Sequence, residues 1–195
     1  LLQMLHPLAL AGVWDHSSFR EDIFGRLRRT SQFISATTFA TVPDAERLIA
    51  KVKAIHERVN GVDIDGTPYA ASDPDLLTWV HVAECSSFMA SHLRYRRVVV
   101  SPARQAQYFI ESASIAERLG ARNVPKTPQA VADYLEQMRP QLRCDDRTRE
   151  VARVLMTTHL PGRVAQPAGA ILMKAGVDLL PGWAQEMLDL WLNPL

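Results

Sequence analysis

Cysteine is nearly absent. The two present, Cys85 and Cys144, stand far apart and without CxxC spacing. They cannot form a thiolate metal cage and give no ground for a structural disulfide, so a reducing, cytosolic setting is expected. No stretch reaches the roughly 18 uninterrupted apolar residues of a membrane span. The apolar opening, Leu1 to Trp14, is too short for one and lacks the charged start of a signal peptide. Because the chain begins at Leu1 and not at Met, a fragment or a trimmed chain is expected. Charge of one sign is missing too. A net charge of +1 gives no support to a nucleic-acid or anionic-membrane partner. The local clusters Arg26, Arg28, Arg29 and Arg94, Arg96, Arg97 lie between acidic or apolar stretches, as solvated helix faces do.

Several catalytic signatures are absent as well. There is no Glu-x-x-His, which a ferritin-like di-iron site would repeat. There is no HExxH, no GxGxxG and no P-loop. Gly-x-Ser-x-Gly, the usual sign of an α/β-hydrolase, does not occur.

What is present is helical punctuation. Asp73-Pro74, Ser101-Pro102 and Thr127-Pro128 pair a good N-cap with proline at the first helical position, and Val42-Pro43-Asp44 resembles them. Gly61, Gly120, Gly162 and Gly176 fall where helices should end. Between these marks the apolar period is 3.6, as in Leu48, Val52, Ile55, Val59 and in Val131, Leu135, Met138, Leu142. No alternating run is long enough to demand a strand. Nine helices are expected, at 1–12, 18–38, 43–60, 73–97, 101–119, 127–139, 144–159, 165–176 and 181–192. With 195 residues, almost half of them hydrophobic, one all-α domain covers the chain. Its longest connection is the turn-rich segment 61–72.

Arg26 and Thr30 lie one turn apart and share a face with Phe19, Phe33 and Thr37, so that face points at least partly inward. An inward cation needs an anion. No carboxylate sits at i±4, so the partner is remote in sequence, Glu84 for instance, or not protein. His56 falls at the edge of the Leu48–Val59 stripe. It is either a core-edge histidine bonded to a carbonyl or a neutral imidazole offered to iron, as in a haem protein. On 73–97, Leu77, His81, Glu84, Phe88, His92 and Tyr95 form one stripe with Cys85 beside it. His81 and Glu84 can pair structurally, act as acid and base, or, with His81 in place of His56, bind the metal. Asp15 or Ser17 is a natural N-cap for the helix expected near Ser18, and His6 before Pro7 reads as a core histidine.

Taken in order, these pieces resemble a family. Leu5-His6-Pro7-Leu8-Ala9-Leu10-Ala11-Gly12-Val13, Asp15-His16-Ser17 and Arg26-x-x-x-Thr30 come first. Ile55-His56-x-Arg58-Val59-x-Gly61, Tyr69-x-Ala71-x-Asp73-Pro74-x-Leu76-Leu77-x-Trp79-Val80-His81 and Pro125-x-Thr127 follow. The series, across about residues 2–140, resembles the MpaB-type and latex-clearing-protein (rubber oxygenase) family. The resemblance implies a globin-reminiscent helical bundle that binds haem b and uses dioxygen on an apolar, isoprenoid or lipid-like substrate. It places the axial ligand at His56 and the pocket pair at Arg26 and Thr30. Where the latex-clearing branch has an iron-capping lysine, this chain has Arg29, a poor iron ligand because it stays protonated. Arg29 can serve the cofactor's anionic groups, and Glu84 or His81 can move protons. The alternative is a non-catalytic protein of the same fold that binds haem or an apolar ligand.

Overall fold

The computed structural model describes residues 1–157 and 166–190. After a 3₁₀ turn at Leu2–Leu5 come α1 (Pro7–His16), α2 (Ile23–Phe39), α3 (Val42–His56), β1 (Asn60–Val62) and β2 (Pro68–Ala70). Then follow α4 (Pro74–Tyr95), α5 (Pro102–Leu119), α6 (Pro128–Met138), α7 (Asp146–Thr157), α8 (Gln166–Asp178) and α9 (Gly182–Leu188). The fold is all-α. Its two strands form one small antiparallel ribbon, with Asn60 opposite Ala70, Gly61 opposite Tyr69 and Val62 opposite Pro68.

The caps act as their chemistry dictates. Asp73, Ser101 and Thr127 accept backbone N–H bonds at the starts of α4, α5 and α6, each followed by proline. Thr41 does the same for α3. Gly120 closes α5 at φ 117°, a left-handed conformation that costs glycine little.

Four expectations need correction. The first helix is interrupted at His6, which adopts an extended conformation (φ −81°, ψ 118°) because the following Pro7 ring crowds an α conformation there. The second begins at Ile23, not near Ser18. Asp22 is its cap, accepting from the Gly25 N–H at 2.7 Å, and Phe19 therefore lies outside α2. The third stops at His56, and the expected 61–72 loop is a hairpin whose three-residue strands are too short to show alternation. Gly61 lies in β1 and Gly176 inside α8, so neither ends a helix. Gly162 falls outside the described residues.

Trp79, fully buried on α4, is the centre of the largest core cluster, with Leu2, Leu5, Ala83, Met138, Leu142, Leu180, Ala184 and Leu188. Its indole N–H donates to the Gln3 carbonyl at 3.0 Å, so the apolar core loses no hydrogen bond there. The ribbon is fixed from outside the core. The carboxylate of Asp63, wholly buried, lies 2.6 Å from Arg143 and 2.7 Å from Arg147. Arg143 also reaches Asp65 at 3.0 Å and Arg147 reaches Asp145 at 3.0 Å. This network joins the β1–β2 turn to the start of α7. Both cysteines are free thiols. No helix among the described residues is long and apolar enough to cross a membrane.

Candidate functional site

A cavity of about 260 Å³ lies where α1, the α2–α3 pair, the ribbon and the start of α4 meet. Its walls are mainly aliphatic, including Met4, Leu8, Val13, Val59, Leu77 and Val80. Arg26 and His56, separated by 30 positions in sequence and carried by different helices, both line it. Gln3, His16, Ser17 and Tyr69 are the other polar residues of its lining.

Arg26 is brought in by the cap. With Asp22 fixing the start of α2, Arg26 sits at the end of the first turn, and its Nη1 donates to Ser17 Oγ at 2.7 Å. No carboxylate pairs with it among the described residues, so Glu84 is not its partner. The contrast with other arginines is informative. Arg143 and Arg147 are likewise partly buried, and both are held by Asp63 with a second aspartate each. Burial, with a smaller contribution from nearby Arg29, lowers the pKa of Arg26. An arginine stays protonated all the same, so the cavity wall carries an uncompensated positive charge.

His56 ends α3, one and two turns after Val52 and Ile49 on the helix's inner edge. Ile55, expected in that stripe, is 49% exposed. Burial lowers the His56 pKa, so the ring is neutral at pH 7. Its Nδ1 is buried and has no hydrogen-bond partner. The carbonyl-bonded histidine, the alternative reading of this residue, is therefore absent. A buried polar nitrogen left without a partner is costly and is the exception in folded proteins.

The ribbon supplies the opposite wall. Tyr69 is buried, its hydroxyl donates to Asp15 Oδ2 at 2.6 Å, and burial with that bond pushes its pKa up to about 12. A Cβ on Gly61 would lie 2.7 Å from the Tyr69 hydroxyl oxygen and 2.9 Å from Cζ, so only glycine lets the ring lie against β1. His16 lies edge-on to Tyr69 at 6.2 Å, and its Nε2 is 3.2 Å from the Asn60 carbonyl oxygen. Asp15 and Ser17, expected as helix caps, instead hold Tyr69 and Arg26.

Other sequence candidates lie elsewhere. Thr30 is exposed, and its hydroxyl bonds back to the Arg26 carbonyl at 3.2 Å. Arg29 is exposed and pairs with Asp22 at 3.7 Å. His81 and Glu84 are half-buried on α4 but are not among the residues lining the cavity. They do not pair with each other. His81 lies 3.6 Å from Cys85 Sγ, one turn on, and burial lowers its pKa to about 4. Burial raises the pKa of Glu84. Tyr69 and Ser17 are the site residues that spacing did not assign. Both stood in the family-like series, which gave neither a role, and only the pairing of Gly61 with Tyr69 across the ribbon brings Tyr69 to the site.

Comparison with known proteins adds one result. No curated protein matches the chain, and no solved structure does. A family profile described as "ER-bound oxygenase mpaB/B'/Rubber oxygenase, catalytic domain" matches residues 1–194. With that match along almost its whole length, and with an all-α fold, the chain belongs to the mpaB/rubber oxygenase catalytic-domain family.

Proposed function

We propose that this protein is a haem b-dependent oxygenase that acts with dioxygen on an apolar substrate of isoprenoid or lipid-like character. The observation that carries the reading is the juxtaposition in one apolar cavity of an unpartnered neutral imidazole, His56, and an uncompensated guanidinium, Arg26. A tetrapyrrole iron complex needs one axial nitrogen and carries carboxylates that need a cation. Among the described residues no three His, Cys, Asp or Glu side chains gather into a metal cage. A metal in this cavity would bring most of its ligands with it, as a porphyrin does. The donor set therefore fits the group.

In this reading His56 would hold the iron, and Arg26 would hold a propionate or donate a hydrogen bond within the pocket. Haem, when bound, supplies the metal that activates dioxygen. The chain's own residues do the rest. The aliphatic walls exclude water and take up an apolar substrate. Ser17 keeps the Arg26 fork oriented, and Tyr69, fixed by Asp15, stays protonated through the neutral range. His81 and Glu84 lie off the cavity lining and are given no step. The cavity, about 260 Å³, lies just under the roughly 300–1,000 Å³ of ordinary ligand sites.

Titration of purified protein with haemin, followed near 400 nm, is the test. A saturable Soret band that His56→Ala abolishes is expected, with oxygen uptake on an unsaturated isoprenoid falling at least tenfold in Arg26→Ala. Protein that takes up no haemin overturns the reading.

A further inference from the structure

The cavity has a size and a polarity of its own, and together they specify a ligand. Its walls are aliphatic, and its fixed positive charge, Arg26, has one neutral hydrogen-bond partner and no carboxylate among the described residues. The residues outside that set, 158–165 and 191–195, contain no Asp or Glu. Among the described residues, no acidic side chain pairs with Arg26. At roughly 30 Å³ per water-sized group, 260 Å³ holds about nine such groups. From these observations we infer that the cavity binds medium-chain aliphatic carboxylic acids, with the carboxylate on Arg26 and the chain along Leu8, Val13, Leu77 and Val80. The inference deepens the proposal above by naming an acid-ended class of apolar ligand for the same site.

The chemistry favours an acid over an alcohol or a hydrocarbon of the same length. A guanidinium offers two parallel N–H groups to a carboxylate, and the pairing strengthens in surroundings poor in water. Arg26 uses Nη1 for Ser17 Oγ, which turns the fork without neutralising it. Tyr69 already directs its hydroxyl hydrogen at Asp15, so it does not compete as a donor. A carboxylate can also arrive as a haem propionate. Free acid and haemin would then exclude each other.

Isothermal titration of the metal-free protein with decanoate and with decanol tests the inference. Decanoate is expected to bind at least tenfold tighter than decanol. Arg26→Gln should erase that ratio, Arg26→Lys should restore part of it, and Arg28→Gln, an exposed position on the same helix outside the cavity lining, should leave it intact. Saturating decanoate should also raise the apparent haemin Kd. Equal affinity of the wild type for acid and alcohol overturns the inference, as does a ratio unchanged in Arg26→Gln. Haemin uptake indifferent to decanoate places the acid elsewhere and also overturns it. A protein that refuses haemin but keeps the acid-to-alcohol ratio sinks the preceding reading and supports this one.

Discussion

Tyr69 shows how one residue can be fixed from three sides. Its hydroxyl is tied to Asp15, its ring lies against Gly61, and Gly12 leaves room on the α1 side, where a Cβ would be 3.7 Å from the ring. Gly61→Ala forces a methyl into that contact, and the ring cannot retreat without losing Asp15. A loss of about 1–3 kcal/mol is expected from such overpacking, read as a lower urea midpoint with unchanged m-value. Tyr69→Phe removes only the hydrogen bond and should cost about 1 kcal/mol. Arg26 behaves oppositely at this scale. Because no acidic partner offsets its partial burial, Arg26→Leu should leave the metal-free protein as stable as the parent or slightly more so, by thermal melting. An arginine needed for the fold would give the reverse.

Among the elements, the ribbon rests on charge while the helices rest on packing. Asp63→Ala strips the buried anion from Arg143 and Arg147, leaving them only Asp65 and Asp145. Breaking a buried pair costs roughly 3–5 kcal/mol, and the remaining aspartates favour the lower end. Loss of the ribbon should then loosen Tyr69, seen as faster amide exchange at 69–71. The helices were largely legible from residues. Asp73-Pro74, Ser101-Pro102 and Thr127-Pro128 marked three starts correctly because caps and proline act locally. Asp22 was missed because Asp15 and Ser17 present the same chemistry nearby, and only tertiary contact with Tyr69 and Arg26 decides between them. The meeting of Arg26 with His56 was suspected from residue type and family likeness. Its geometry depends on how α2 and α3 dock, and no local pattern encodes that. Thr30 points to the limit of face arithmetic, since a residue one turn from Arg26 can lie outside the cavity.

Across the whole molecule, three histidines, His6, His56 and His81, are held below their ordinary pKa of 6.5, each chiefly by burial. For His6, Asp73 works against burial while Arg143 adds to it. The unfolded chain binds protons from pH 6.5 downward while the folded one resists, so stability falls as pH drops through that window. For His81 the loss continues to about pH 4. Glu84, shifted upward, opposes part of it below neutrality. A net loss of about 2 kcal/mol between pH 7 and pH 5 is expected from urea unfolding, and His81→Gln should flatten the curve. The α2–α3 pair has a different bearing on the whole. Between them these two helices bury only Gly25 and Ile49, yet they carry Arg26 and His56. Anything that bridges those two residues to α1 and the ribbon would act as a clasp on this sparsely buried helix pair. A protease should nick the ligand-free protein first near Phe39–Thr41, and a tight occupant should slow that cut by about as much as it raises the melting temperature would imply.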